Sequence, residues 1–101
     1  MPRPRRFRQI GNIPDITYFK PAGIPINKLE ESSISIIELE AIRLKDNLGL
    51  EQKICAEKMK ISQPTFHRLI TEARKKIADA LINGKAIKIE KTGNYNFNKD
   101  N

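Results

Sequence analysis

No tryptophan occurs in this sequence, and its six Phe and Tyr residues leave little aromatic surface to line a cavity for a large substrate or an organic cofactor. A large-substrate enzyme is therefore not expected, and no cofactor is expected either. The single cysteine, Cys55, has no partner for an intramolecular disulfide, and with His67 as the one histidine there is no cluster to ligate zinc or another metal. A reducing compartment fits that cysteine usage. Nowhere do 18 apolar residues follow one another, and the charged start Met1 to Arg8 has no apolar run behind it. Neither a membrane span nor a secretory signal is expected, so the expected location is the cytoplasm.

Acids are also in short supply: 12 against 19 Lys and Arg, for a net charge of +7 and a sequence pI of about 9.8. That balance puts polyanions, nucleic acid first, ahead of other partners, although solubility alone could account for it. Distribution sharpens the reading. Residues 32–60 carry five bases and five acids, whereas residues 1–31 carry six and three and residues 61–84 four and two, so the excess sits on the flanks. A chain of 101 residues holds one domain, and by surface scaling it buries roughly 65% of the surface its unfolded form exposes.

Five of the six prolines fall in the first 31 residues, which excludes a long helix there. Residues 1–31 therefore read as a basic, proline-rich extended arm, with Phe7 to Ile10 and Ile16 to Phe19 as short strand candidates, Pro21 to Pro25 as a turn, and apolar side chains that cover a helical core. Residues 32–84 read as helical. Ser35 and Glu38 form a capping-box pattern, and Ile37, Ala41, Leu44 and Leu48 follow on one helix face up to Gly49. A second helix from about Glu51 to Met59 points Ile54, Cys55, the stem of Lys58 and Met59 inward, although Glu51 is a poor cap. The third begins after Ser62, with Pro64 in its first turn, and carries the stripe Phe66, Leu69, Ile70, Ala73, Ile77, Ala80 and Leu81 to a stop at Asn83-Gly84. Residues 85–101 read as a short alternating strand, Ala86 to Glu90, and a polar tail.

The second and third helices, about three residues apart, match a helix-turn-helix. Counting from Gln52, positions four, five, eight, ten, fifteen and eighteen are Cys55, the small Ala56, Met59, Ile61, Phe66 and Leu69, the sites buried where the two helices cross. Lys60 stands in the turn where glycine is usual, at a strain of roughly 1 kcal/mol if the backbone is left-handed. The alternative is a pair of antiparallel helices in an ordinary small bundle. At 100° per residue, Pro64, Arg68, Thr71 and Lys75 lie opposite the apolar stripe, with Gln63, Thr65 and His67 on the shoulders of the first turns. These residue types suit base edges: Arg68 for guanine, Gln63 for adenine, Thr65 or Pro64 for a thymine methyl, with His67 and Thr71 as further polar candidates. An ion pair of Arg68 with Glu72, one turn on, is the competing use of that side chain. His67 has no nucleophile or acid signature beside it, so no catalytic role is expected. Arg3, Arg5, Arg6 and Arg8 are candidates for phosphates or a narrow minor groove, and Arg74, Lys75 and Lys76 for phosphates.

Longer blocks carry a resemblance: Met1-Pro2-Arg3-Pro4, Pro14-Asp15, Thr17 through Pro25, Glu38-Leu39-Glu40-Ala41, Arg43-Leu44-Lys45-Asp46, Ala73 through Leu81, and Asn83-Gly84-Lys85-Ala86. In these, and over nearly all of the chain up to Tyr95, it resembles a prokaryotic group of DNA-binding proteins, the uncharacterised protein family zero-two-five-one. The resemblance implies a mainly α fold: a three-helix helix-turn-helix domain similar to the promoter-reading fourth region of sigma factors. It also implies that some relatives carry a further metal-cofactor-binding domain after the region matching Tyr95, which is not expected in this chain. Lys60 and Glu51 depart from the family pattern. The expected function is sequence-specific binding of double-stranded DNA as a transcriptional regulator, with a homodimer joined through Ala86 to Glu90, which would pair with its twin or with Phe7 to Ile10 of the other chain; pairing with Phe7 to Ile10 inside one chain would leave a monomer. The chief alternative is a protein-interaction module that contacts RNA polymerase through the acids Glu38, Glu40 and Asp46. RNA is a weaker third, for want of exposed aromatics in a stacking pattern.

Overall fold

The computed structural model describes residues 7–99. In chain order its elements are β1 (Arg8–Ile10), β2 (Tyr18–Phe19), a single 3₁₀ turn (Ile26–Lys28), β3 (Glu31–Ser35), α1 (Ile36–Ile42) continuing into a π turn (Arg43–Asn47), α2 (Gln52–Met59), α3 (Gln63–Asn83), β4 (Ala86–Glu90) and β5 (Tyr95–Phe97). It is a small helical domain trimmed with short strands.

Local sequence explains the helix limits. Ser35 Oγ accepts the Glu38 N–H while Glu38 Oε1 accepts the Ser35 N–H, a complete capping box at the start of α1. Ser62 Oγ accepts the Thr65 N–H at 3.2 Å to begin α3, Pro64 occupies the first turn, and Gly84 ends it in the left-handed region at φ 66°. No side chain caps α2 at Glu51, as its residue type predicts.

The core is built where α1, α2 and α3 meet, from Ile36, Ile37, Ala41, Leu44, Cys55, Ala56, Met59, Phe66 and Ile70, with Ile10 of β1 packed into it from the opposite end of the sequence. The six crossing positions counted from Gln52 all join this core: Cys55, Ala56, Met59 and Phe66 are buried, and Ile61 and Leu69 pack against its edge. Cys55 is sealed there, and burial pushes its thiol pKa up, so it behaves as a small apolar side chain.

Among the described residues of the arm only Ile10 is buried, whereas Phe7, Ile13, Ile16, Phe19, Ile24 and Ile26, expected to cover the core, are exposed, and three apolar positions of the helices also differ from the expectation. Leu48 is 51% exposed, because the wider π turn brings the residue four after Leu44 short of a full rotation. Ile54 lies on the side of α2 away from Cys55, Ala56 and Met59. Leu81 is 73% exposed although it continues the stripe of α3, since in that last turn Ala80 takes the buried side and Leu81 lies outward of it.

Two strands escaped the sequence reading, β3 and β5. β4 is the middle strand between β3 and β2: it pairs in parallel with β3 (Ile34 opposite Ile89) and antiparallel with β2 (Phe19 opposite Ile87). β1 pairs in parallel with β5, Arg8 opposite Tyr95 and Ile10 opposite Phe97. The expected partner of β4, Phe7 to Ile10 or a second copy of β4, is thereby corrected: both edges of β4 are filled from within the chain.

Candidate nucleic-acid interface

Between α2 and α3 the chain turns through Lys60, Ile61 and Ser62. Lys60 is left-handed at φ 58° and ψ 45°, the one non-glycine with positive φ among the described residues. The turn is held by the Ile61 N–H donating to the Ala56 carbonyl at 3.0 Å and the Lys60 N–H donating to that of Glu57 at 3.1 Å. Gln52 Nε2 reaches across to the Gln63 carbonyl at 3.4 Å, so the starts of the two helices are tied together.

From that start α3 presents its polar face. Gln63, Pro64, His67, Arg68, Thr71 and Lys75 are exposed, and Thr65 is half-buried. Thr65 Oγ1 is linked to Ser62 Oγ at 2.8 Å and accepts from Arg68 Nη2 at 3.4 Å. Arg68 thus leans toward the N-terminal turn and does not form the ion pair with Glu72 that their spacing offers. The six candidates for base contact share one end of one helix, whose other face is fixed by Phe66 and Ile70 in the core.

The candidates for phosphate contact are more dispersed. Arg3, Arg5 and Arg6 lie outside the described residues. Arg8 is rooted in β1, where its N–H donates to the Asn94 carbonyl at 3.2 Å, so it belongs to the folded body and not to a free arm. Its side chain faces a cleft shared with Lys60, Ile61, Ser62 and Thr65. Arg74 is bound to Asp46 through two hydrogen bonds, Nε to Oδ2 at 3.0 Å and Nη2 to Oδ1 at 2.6 Å, and this guanidinium holds the Asp46 carboxyl below its ordinary range. Lys76 Nζ donates to both oxygens of Glu38 at 2.8 and 2.9 Å. Of the three bases on the middle of α3, Lys75 alone points out without an acid partner among the described residues. Periodicity reported their faces but could not show that Asp46 and Glu38 stand opposite two of them.

The acids named for a polymerase contact are equally engaged. Glu40 is buried, accepts two hydrogen bonds from Arg43 at 2.7 and 2.8 Å, and takes the Gly11 N–H at 2.9 Å. Glu38 caps α1 and holds Lys76, and Asp46 holds Arg74. Each carboxylate joins two parts of the fold.

The profile of the family described as "Protein of unknown function DUF134" matches residues 1–98. The chain belongs to this family. Its relatives carry the name UPF0251, in agreement with the resemblance read from the sequence blocks. The UPF0251 protein TTE1845 of Caldanaerobacter subterraneus is 61% identical over 95 residues, which cover 94% of this chain and 80% of that one. The UPF0251 protein Teth39_0655 of Thermoanaerobacter pseudethanolicus is 57% identical over the same shares. A UPF0251 protein of Desulforudis audaxviator is 54% identical over 97 residues, 96% of this chain and 63% of that one, so some UPF0251 members extend well beyond the matched region. No solved structure matches this UPF0251 chain.

Proposed function

We propose that this protein binds double-stranded DNA in a sequence-specific manner and regulates transcription, α2 and α3 serving as a helix-turn-helix of the kind found in the fourth region of sigma factors. The observation that carries the reading is the exposed start of α3: Gln63, Pro64, His67, Arg68 and Thr71 stand together on a helix whose opposite face is locked into the core. A helix so anchored can enter a major groove with its first turns against base edges. The net charge of +7 supplies the attraction to phosphate, and two copies on a palindromic site would double the few base pairs that one helix reads. Contact with RNA polymerase through Glu38, Glu40 and Asp46 has less in its favour, since all three carboxylates already hold cations of the same chain.

Selection of bound fragments from random duplex DNA tests the reading directly. An enriched motif is expected, and Arg68→Ala should then weaken binding to it by roughly 1–3 kcal/mol while costing much less on a random duplex. Equal losses on both would reduce Arg68 to a phosphate contact. Failure to enrich any motif, together with affinity that ignores salt, would overturn DNA binding itself.

A further inference from the structure

The left-handed turn at Lys60 is a position that glycine fills without strain and lysine does not. The lysine side chain opens onto a cleft of about 680 Å³ whose lining is Arg8, Lys60, Ile61, Ser62 and Thr65. Arg8 comes from β1 and Lys60 from the turn between α2 and α3, so the fold brings together two cations that stand 52 residues apart in the sequence. Among the described residues no carboxylate lines the cleft, and neither cation forms an ion pair. Arg43, Arg74, Lys76 and Lys85, in contrast, each have an acid beside them. A pair of uncompensated cations across an open, hydroxyl-edged cleft suits an anion carried on an extended strand, and the cleft borders the first turn of α3, where Gln63 and Arg68 stand.

We infer that Arg8 and Lys60 form a phosphate clamp that holds the backbone of one DNA strand beside the start of α3, and that lysine occupies the turn in place of glycine for the sake of this contact. The inference rests on the DNA-binding reading and adds to it a site whose contribution is independent of base sequence. The shared ligand chemistry is a phosphate oxygen, and the occupant is a duplex backbone phosphodiester, not a free phosphate.

The test uses the full chain and fluorescent duplexes, one carrying a selected motif and one of mixed sequence, with affinity measured across a salt series. Lys60→Gly, Arg8→Gln and the double variant are compared with Lys60→Arg, and the Tm of each is recorded. Each neutral single variant should lower the slope of log affinity against log salt by about 0.9, and the double variant by about twice that, equally on both duplexes. Lys60→Arg should keep the wild-type slope. The Tm of Lys60→Gly should be no lower than that of the wild type, since the left-handed strain is relieved, so its weaker binding cannot be a folding defect. Wild-type slopes in both neutral variants would overturn the clamp while leaving DNA binding intact, as would a loss confined to the selected motif. Saturable binding of inorganic phosphate with unchanged duplex affinity in the variants would mark a small-anion site and overturn it too. A wild-type chain that binds neither duplex would remove the DNA-binding reading and the clamp together.

Discussion

At the residue scale, charge in this protein is divided between side chains that hold the fold and side chains that face outward. Asp46 and Arg74 show the first use: their paired hydrogen bonds fasten the π turn to the middle of α3, and in doing so they occupy a cation that the sequence offered to phosphate. Because Arg74 lowers the Asp46 pKa, the contribution of the pair is fully present above the unfolded Asp value of about 4 and is lost as pH falls through the lower folded-state value. The side chains are 51% and 39% exposed, so solvent screening limits the pair to the range of surface ion pairs, about 0.2–1 kcal/mol. Asp46→Ala should therefore lower the stability measured by urea unfolding at pH 7 by that amount. The difference from wild type should vanish near pH 2, and one that survived there would assign the loss to something other than the ion pair.

At the element scale, α3 does two jobs along its length, and its stripe is buried only where another element lies opposite. Phe66 is sealed among α1, α2 and α3, whereas Leu81, four turns on, has little above it, in an open groove with Phe19 and Ile87. Phe66→Ala should cost about 3–5 kcal/mol in denaturant unfolding, while Leu81→Ala should stay within about 0.5 kcal/mol. Similar costs for the two would mean that the end of α3 is covered in solution. The capping signals at Ser35, Ser62 and Gly84 were legible because a cap is a contact over three or four residues, fully specified by local sequence. The strands β3 and β5 were not, since each is short and takes its pairing from a segment more than fifty residues away.

At the scale of the whole molecule, the first and last strands of the described residues pair with each other, β1 with β5, and β2, β4 and β3 tie further segments into the same body. That arrangement removes β4 as the joint of a homodimer, because a strand paired on both edges offers no free ladder to a second copy. A dimer on DNA would have to be joined elsewhere, and symmetric recognition would still place half-sites about 34 Å apart. Light scattering near physiological salt, with and without a selected duplex, should show two copies per site. One copy on an asymmetric motif would sink the dimer and leave single-site recognition in place.

By itself the sequence determined whatever depends on neighbours within a turn or two: the helix starts and stops, the six positions that bury α2 against α3, the poor cap at Glu51, the polar face from Gln63 to Thr71, and the alternation of Ala86 to Glu90. It also carried the family, through blocks spread along most of the chain. The tertiary structure alone decided which partners stand opposite those faces. It set Asp46 against Arg74 and Glu38 against Lys76, left Leu81 uncovered, filled both edges of β4, and brought Arg8 to the same cleft as Lys60. The reason is physical: periodicity fixes the direction in which a side chain points, whereas burial and pairing depend on what the rest of the chain brings to meet it.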